Sequence, residues 1–243
     1  IKVDTGMGRL GVWHRDALSF IDKINNLAFI DMEGVFTHLS SADSDTDFTN
    51  EQIAIFDTIL RKLESRGVNI RLRHVANSAG LIDFKSSHYN LVRPGIIIYG
   101  LIPSFGIQVK VKPVLSLKTK IIYIKKTPKG RSISYGRSFV TKKNTMIATL
   151  PVGYGDGYPR ALSNKAKVLI RGQEASIVGR VCMDQIMIDV GHIKNVKTAD
   201  TVTLIGKNKE NIIRAEDLAA LSDTICYEIV CGIGNRIPRI YTD

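Results

Sequence analysis

The chain has 243 residues, of which 44% are hydrophobic and 23% are charged. This composition excludes a disordered chain, and the length suffices for one large domain or two ordinary ones. No run of about 18 apolar residues could span a bilayer, and no signal peptide precedes the first predicted strand. The three cysteines form no C-x-x-C pair and are expected to be reduced. We therefore expect a cytoplasmic protein with no membrane partner.

The net charge of +11 is compatible with a nucleic-acid partner or an anionic ligand. The lysines between residues 110 and 129 alternate with aliphatic residues in a near period-two pattern. Charges at that spacing occupy the solvent face of strands. No aromatic interleaving, RNA-binding signature or zinc pattern accompanies them, so we expect neither a nucleic-acid partner nor a metal site.

The first hundred residues alternate predicted strands with predicted helices. Strands are predicted at 1–3, 29–38, 70–75 and 90–99, and helices at 16–25 and from Thr49 onwards. Thr49 and Gln52 match a capping box, and Gly67 is expected to end the second helix. The alternation indicates a parallel sheet with crossover helices, either doubly wound or a barrel.

From about Val109 the pattern changes to short β-branched runs separated by turn residues. These runs lie at 116–124, 146–151, 167–170, 175–178, 187–190 and 201–205, with one helix at 215–221. Such spacing indicates a mostly antiparallel β domain. The boundary is predicted near residues 106–114, which divides the chain into domains 1–110 and 111–243.

Polar residues follow each predicted strand of the first domain, where parallel α/β folds place their sites. They are Lys2 and Arg9, which flank a tight loop expected to present charge inward, then His38, then Asn77 and Ser78, and finally Arg93. Asn77 could also merely cap a short helix. Together these residues predict a polar pocket in which Ser78 and the amides of Gly95 and Ile96 would suit a phosphate.

Two segments of the β domain hold more glycine and polar residues than strands require. In one, glycines 153, 155 and 157 surround Tyr154, a pattern that aims a tyrosine rather than packing it. In the other, residues 179–185, backbone amides lie beside Asp184. The side chains of Cys182 and Met183 in this segment are expected to pack in the core.

Together these segments resemble the alanine racemase family. The matching motifs lie at 2–11, 76–78, 92–96, 153–158, 179–185, 227–229 and 236–239, in the family's order. The resemblance implies a (β/α)8 TIM-type barrel followed by a mostly antiparallel β domain. It further implies that the chain is a C-terminal fragment holding the second half of the barrel, and that the cofactor-anchoring lysine lies upstream of Ile1.

The resemblance also implies pyridoxal 5'-phosphate as cofactor, alanine as substrate and a role in D-alanine supply for peptidoglycan. Tyr154 corresponds to the base that takes the α-proton of L-alanine, Arg93 to the partner of the pyridine nitrogen, and His38 to a bridge between them. The cofactor-binding set implied by the resemblance is Ser78, Asn77, Arg93, Gly95, Ile96 and Tyr227. Arg9 and Met183 correspond to substrate contacts, and Lys2 to a lysine that is often carbamylated.

In the family, Tyr154 and Met183 serve the other subunit, so the resemblance implies a homodimer with shared active sites. Residues 1–243 alone are then expected to be inactive, because the anchoring lysine is not among them. Two other functions stay open: a non-catalytic pyridoxal-phosphate-binding or regulatory domain, and a serine or broad-specificity racemase.

Overall fold

The computed structural model describes residues 1–104 and 106–242. The chain separates into two compact units, residues 1–111 (unit 1) and 112–243 (unit 2). No helix in the described part of the chain is long and apolar enough to cross a membrane. The three cysteines are free thiols, as their number and spacing predicted.

Unit 1 is built on short parallel strands that are linked by helices. Its strands are β1 (Val3–Asp4), β2 (Val12–Trp13), β3 (Gly34–Phe36) and β4 (Leu72–His74), and its helices are α1 (Ala17–Asn25), α2 (Thr46–Ser65) and α3 (Ser78–Asp83). β1 pairs with β2 and β3 with β4, all parallel. Isolated parallel bridges join Lys2 to Phe36 and His74 to Leu91. The predicted parallel sheet with crossover helices is therefore confirmed.

The two faces of this sheet differ because successive strand residues point to opposite sides. Val3 and Val35 are fully buried and belong to the same core cluster as Ile21 of α1 and Phe56 of α2. On the other face lie the alternate residues Lys2, Phe36 and His74, which are paired across the sheet. The sheet thus has one apolar face against its helices and one face that carries polar groups.

Helix α2 begins earlier than the sequence predicted. Asp45 is its N-cap, and the Asp45 carboxylate accepts a hydrogen bond of 3.0 Å from the amide of Phe48. The predicted capping box at Thr49 and Gln52 is therefore wrong: both residues lie inside the helix and are fully buried. The end of the helix was predicted correctly, since the chain leaves it at Gly67 with a φ of +73°.

Two predicted strands are much shorter in the structure. The run 29–38 forms only the three residues of β3, because Phe29 and Ile30 stay exposed rather than facing the core. The run 90–99 contributes only the bridge at Leu91. Pro94 has no amide hydrogen to continue a ladder, and the chain instead forms a 3-10 helix at Ile96–Tyr99.

Unit 2 is mainly one antiparallel sheet. Its strands are β5 (Leu117–Lys120), β6 (Tyr123–Thr127), β7 (Ser132–Ile133), β8 (Phe139–Val140), β9 (Thr145–Leu150), β10 (Lys167–Ile170), β11 (Gln173–Ile177), β12 (Ile186–Asp189), β13 (Thr201–Asn208) and β14 (Asn211–Ile213). The order is β14-β13-β10-β11-β12-β9-β6, with β5 also paired to β13 and β7 paired only to β8. The predicted antiparallel β domain is confirmed.

The predicted run 116–124 is divided between two strands. β5 pairs with β13, whereas β6 pairs with β9. Between them, the amide of Ile121 donates to Asp200 and the amide of Ile122 donates to Thr149. The chain therefore changes its partner strand at these two residues. The consecutive strands β5 and β6 thus connect the part of the sheet around β13 with the part around β9.

Two helices complete unit 2. α4 (Ala215–Ser222) matches the predicted range to within one residue. Its start is stabilised by the Asp217 carboxylate, which accepts from the amide of Arg214 at 2.8 Å. α5 (Cys226–Gly232) was not predicted. It is short and follows α4 after a left-handed residue, Asp223, with a φ of +57°.

Candidate active site

Arg93 lies at the centre of the polar groups at the strand ends of unit 1. Its Nη2 donates to the carbonyl of Thr37 at 2.7 Å and to that of Val75 at 2.9 Å. The same nitrogen lies 3.4 Å from Nδ1 of His38, and Nη1 donates to Nδ1 of His74. Arg93 therefore joins the ends of β3 and β4, and the guanidinium cannot move without breaking contacts to both.

The two histidines beside Arg93 are held in their neutral form. Burial, and then the charges of Arg93, Arg9 and Lys2, lower the pKa of His38 from 6.5 to about 4. Burial and Arg93 also lower the pKa of His74. Since each Nδ1 faces the guanidinium, each ring accepts there and carries its proton on Nε2. At neutral pH the site therefore has arginine as its cation and histidines as acceptors.

An aromatic ring supports this network from the sheet. Phe36 stacks on His74 with ring centroids 4.7 Å apart and an interplanar angle of 11°. The Cζ atom of Arg93 lies 5.5 Å from the centroid of the Phe36 ring, within reach of a cation–π contact. The ring thus fixes both groups from one side.

Lys2 lies directly before β1, and Arg9 lies in the loop that follows it. Its turn has positive φ angles at Gly6 and Gly8, and the Asp4 carboxylate accepts from both of their amides at 2.9 and 3.0 Å. Lys2 is half-buried, whereas Arg9 is exposed, because the described residues do not cover the tip of the loop. The inward charge predicted for this loop is therefore not seen at Arg9, and the predicted roles of Lys2 and Arg9 stay predictions.

Ser78, Gly95 and Ile96 come together as the sequence predicted for an anion cradle. Ser78 is 3% exposed, and its Oγ accepts from the amide of Gly95 at 2.9 Å and from that of Ile97 at 3.5 Å. The amide of Ile96 begins a 3-10 helix and donates to no acceptor among residues 1–104 and 106–242. Gly95 has no side chain to fill the space beside Ser78. The amide of Ile96 and the hydroxyl hydrogen of Ser78 are thus the donors that an anion could accept from here.

Asn77 has the structural role that the sequence left open. Its Oδ1 accepts from the amide of Gly80 at 2.9 Å and caps α3, while its Nδ2 donates to the carbonyl of Leu39 at 3.4 Å. Both ends of the side-chain amide are thus used within unit 1. The predicted contact of Asn77 with a cofactor stays a prediction.

In unit 2, Tyr154 is the exposed residue of a tightly held loop. The amide of Tyr154 donates to Cys182 at 3.0 Å, and that of Gly155 donates to Met183 at 2.9 Å. A Cβ atom on Gly153 would overlap these two carbonyls. The side chain of Tyr154 is 45% exposed. The glycines therefore let the loop pack closely while its phenol stays accessible.

A carboxylate and an arginine that the sequence did not single out hold this loop. The buried Asp156 accepts from the amide of Gly153 at 2.9 Å and lies 3.4 Å from Nε of Arg236. Arg236 also donates to Asp184 at 2.7 Å. The Tyr154 loop, the segment around Asp184 and the C-terminal segment are thus tied together.

Met183 contacts this loop, and the helix that carries Tyr227 packs against it. The side chain of Met183 is 54% exposed, so the prediction that it packs in the core is wrong; its backbone, not its side chain, is what the loop uses. Cys182 is only partly buried. Tyr227 is on α5, the helix whose last residue, Gly232, packs directly against Gly157.

Sequence reasoning missed His74, Asp156 and Arg236 as parts of the two clusters. The sequence did contain a signal for His74. Like His38 in the predicted second strand, it lies at the end of a strand, two residues before Ala76. Asp156 and Arg236 are separated by 80 positions and interact only through folding, so no local pattern could have paired them. No group of three His, Cys, Asp or Glu that could hold a metal occurs in the described part of the chain.

Comparison with known protein families accounts for both units. The model of the alanine racemase N-terminal domain matches residues 1–103, and that of the alanine racemase C-terminal domain matches residues 114–241. The chain therefore holds residues of both domains, and the prediction that it is a C-terminal fragment is not supported. An alanine racemase from Halothermothrix orenii is 52% identical over 99% of this chain and 64% of its own length.

Solved structures give the same result. An alanine racemase from Bacillus anthracis with bound L-Ala-P is 38% identical with a TM-score of 0.90, over all of this chain and 64% of that one. An alanine racemase from Streptomyces lavendulae is 33% identical with a TM-score of 0.94, over 65% of its length. The chain spans just under two thirds of the relatives that it matches. It belongs to the alanine racemase family.

Proposed function

We propose that this chain takes part in the pyridoxal-phosphate-dependent interconversion of L-alanine and D-alanine. The observation that carries the proposal is the exposed phenol of Tyr154, which is held by backbone contacts and has no hydrogen-bond partner within the described residues. A phenol that is fixed but unpaired suits proton transfer better than structure. The names of the relatives and the L-Ala-P bound to one of them support alanine as the substrate.

The residues of unit 1 fit a phosphorylated cofactor. The free amide of Ile96 and the hydroxyl hydrogen of Ser78 would donate to an oxyanion, the amide of Gly95 would join them by exchanging its bond to Ser78, and Tyr227 would complete the set. Gly95 leaves the space beside Ser78 open. When bound, pyridoxal phosphate withdraws electrons from the α-carbon of the amino acid and so makes the α-hydrogen more acidic.

Arg93 would face the ring nitrogen of the cofactor. A guanidinium donates hydrogen bonds but does not readily give up its proton, and the carbonyls of Thr37 and Val75 hold its charge in place. Arg93 would therefore stabilise the ring without protonating it. A ring that is not protonated would draw less electron density from the substrate. This would favour return of the α-proton over side reactions.

Tyr154 would remove and return the α-proton on the L face. The neutral His38, with its proton on Nε2, would connect Arg93 to the phenol oxygen. Arg9 and the amide of Met183 would contact the substrate carboxylate. We also propose that Lys2 is carbamylated and pairs with Arg9, since neither cation has an ion-pair partner in residues 1–104 and 106–242.

We further propose a homodimer in which Tyr154 and Met183 of one subunit serve unit 1 of the other. The proposal rests on the family resemblance and is tested by mixing two inactive variants, Tyr154→Phe and Arg93→Ala. In a shared site, a mixed dimer carries both changes in one site and none in the other, so activity returns on subunit exchange. Activity that fails to return although mixed dimers form would contradict the shared site.

A non-catalytic cofactor-binding domain is the second candidate. Such a protein needs the Ser78 cradle but has no use for the Tyr154 loop, whose rigidity therefore favours the enzyme. A serine or broad-specificity racemase differs only in the substrates accepted. Rates with L-alanine and L-serine, measured side by side, separate these two.

The main test uses the protein expressed from its complete gene, loaded with pyridoxal phosphate. Tyr154→Phe should lower kcat/KM for alanine racemisation by about 10²–10⁴, the usual contribution of a positioned acid–base group. Its stability should not change, because the phenol oxygen makes no hydrogen bond in the described structure. Tyr123→Phe is a matched control on the exposed strand β6 and should leave the rate unchanged. A wild-type enzyme that does not racemise alanine would refute the proposal.

A further inference from the structure

Gln52 is a fully buried polar side chain in the helix α2, and all of its hydrogen-bonding capacity is used. Its Oε1 accepts from the amide of Ser40 at 3.0 Å and from the Ser40 hydroxyl at 3.1 Å. Its Nε2 donates to Thr5 Oγ1 and to the carbonyl of His38, each at 3.2 Å. A buried amide with every group satisfied is held rigidly, because breaking any contact leaves an unpaired polar atom.

The partners of Gln52 belong to the two loops that carry site residues. Thr5 follows β1 in the loop that leads to Arg9, whereas Ser40 and the carbonyl of His38 follow β3. Gln52 therefore joins the two loops beyond the backbone contacts of these strands, which link Ile1 to Gly34 and Lys2 to Phe36.

A second contact connects this pair of loops to Arg93. The hydroxyls of Thr5 and Thr37 lie 2.7 Å apart, and both residues are almost completely buried. The carbonyl of Thr37 in turn accepts from Nη2 of Arg93 at 2.7 Å. Two buried hydrogen bonds thus link Gln52 to Thr37 through Thr5, and the backbone of Thr37 links them to the guanidinium.

The same end of α2 also shapes the first loop by packing. A Cβ atom on Gly6 would lie 2.7 Å from the ring of Phe48, one helical turn before Gln52. The loop after β1 therefore rests on α2 through both an apolar contact and a polar one. Neither residue touches the groups that would react.

We infer that Gln52 is a positioning residue, which fixes Arg9, His38 and Arg93 relative to one another through the two strand-end loops. This inference rests on the proposed racemase function for its effect on rate. Its geometric part, the coupling of residues 3–9 to residues 37–41, does not depend on that function.

The test compares Gln52→Met with Thr49→Val in the cofactor-loaded protein from the complete gene. Methionine keeps the length of glutamine and removes every hydrogen bond, whereas Thr49 is an equally buried residue of the same helix whose hydroxyl bonds only the Asp45 carbonyl at 2.7 Å. Gln52→Met should lower kcat per cofactor-loaded site at least about tenfold, since small displacements of positioned groups are costly. Thr49→Val should lose stability but keep its kcat.

Two further readouts separate positioning from a loss of stability. Amide hydrogen exchange in peptides covering 3–9 and 37–41 should accelerate together in Gln52→Met and not in Thr49→Val. Thr5→Val should reproduce part of the loss in kcat, and its effect should be less than additive with that of Gln52→Met, because both changes break one line of contacts.

The outcomes distinguish the two proposals. An inactive wild type refutes the racemase function and, with it, the effect of Gln52 on rate. An active wild type whose Gln52→Met variant keeps its kcat refutes only the Gln52 proposal, as does exchange that accelerates in one loop but not in the other. Joint acceleration with a fall in kcat supports it.

Discussion

The two units hold their site residues by different means. In unit 1, side-chain hydrogen bonds hold the site residues. Arg93 joins the ends of β3 and β4, and Gln52 joins the loops that follow β1 and β3. In unit 2, backbone contacts have a larger share: the amides of residues 154 and 155 donate to the carbonyls of residues 182 and 183, and glycines let these two segments approach closely. The unit 1 cluster depends mainly on side-chain hydrogen bonds, whereas the unit 2 loop combines ion pairs at Asp156 and Asp184 with close backbone packing that only glycine allows.

This difference predicts how each unit fails. The network of unit 1 should be sensitive to changes of donor geometry and of pH, because its contacts are hydrogen bonds among arginine, histidine and buried amides. The loop of unit 2 should be sensitive to added atoms, because its glycines lie against carbonyl groups.

The largest expected effect belongs to the guanidinium geometry. Arg93→Lys keeps the charge, but an ammonium cannot bond Thr37, Val75 and His74 simultaneously as a planar fork does. Losing one or two charge-assisted hydrogen bonds should lower kcat/KM for alanine about 100-fold. Arg73→Lys on the exposed side of β4 is the control and should have no effect. Steady-state kinetics that show equal rates for Arg93→Lys and wild type would contradict the role of side-chain geometry.

The next effect tests the close packing of unit 2. Gly157 has a φ of +95°, and a Cβ atom there would overlap the carbonyl of Gly232. Gly157→Ala should lower the free energy of unfolding by at least about 2 kcal/mol, through backbone strain and overpacking together. Gly130→Ala separates the two causes, because Gly130 has a φ of +83° but open space around it. Its loss should be only about 1 kcal/mol, and equal losses in denaturant unfolding would argue against the packing explanation.

The smallest effect concerns pH. The pKa of His38 is lowered to about 4, from 6.5, by burial and then by Arg93, Arg9 and Lys2. Between pH 4 and pH 6.5, the His38 ring binds a proton more readily in the unfolded chain than in the folded one. The free energy of unfolding therefore falls as the pH is lowered from about 6.5 to 4. His38→Gln should reduce the slope of stability against pH in that range, with the remainder from His74. An unchanged slope would mean that His38 is not held neutral.

Much of the fold could be predicted because local patterns carry it. The helix α4, the strand β10 and the end of α2 at Gly67 follow from caps, alternation and a left-handed glycine. The parallel arrangement of unit 1 followed from alternating strands and helices. Predictions failed where tertiary contacts decide: Phe29 has the hydrophobicity of a strand residue but no core to face, and Asp45 displaced Thr49 as the cap of α2.

The site was predictable only in part. The residues at strand ends were found because parallel sheets gather them at one edge, and His38 and Arg93 indeed lie together. Gln52 was interpreted as part of a capping box from its local spacing. Its actual contacts with Thr5 and His38 span 47 and 14 positions, so no local pattern indicates them. The exposure of Met183 was also missed, because the hydrophobicity of methionine favours a buried position when only the sequence is considered.

The most direct measurement is deuterium incorporation at the α-carbon of alanine in heavy water. With the complete, cofactor-loaded protein, wild type should exchange the α-hydrogen of both enantiomers. If Tyr154 is the base on the L face, Tyr154→Phe should lose exchange from L-alanine by about 10²–10⁴, while D-alanine still exchanges with retention of configuration. Equal loss from both enantiomers, or unchanged exchange from L-alanine, would contradict the assignment of Tyr154.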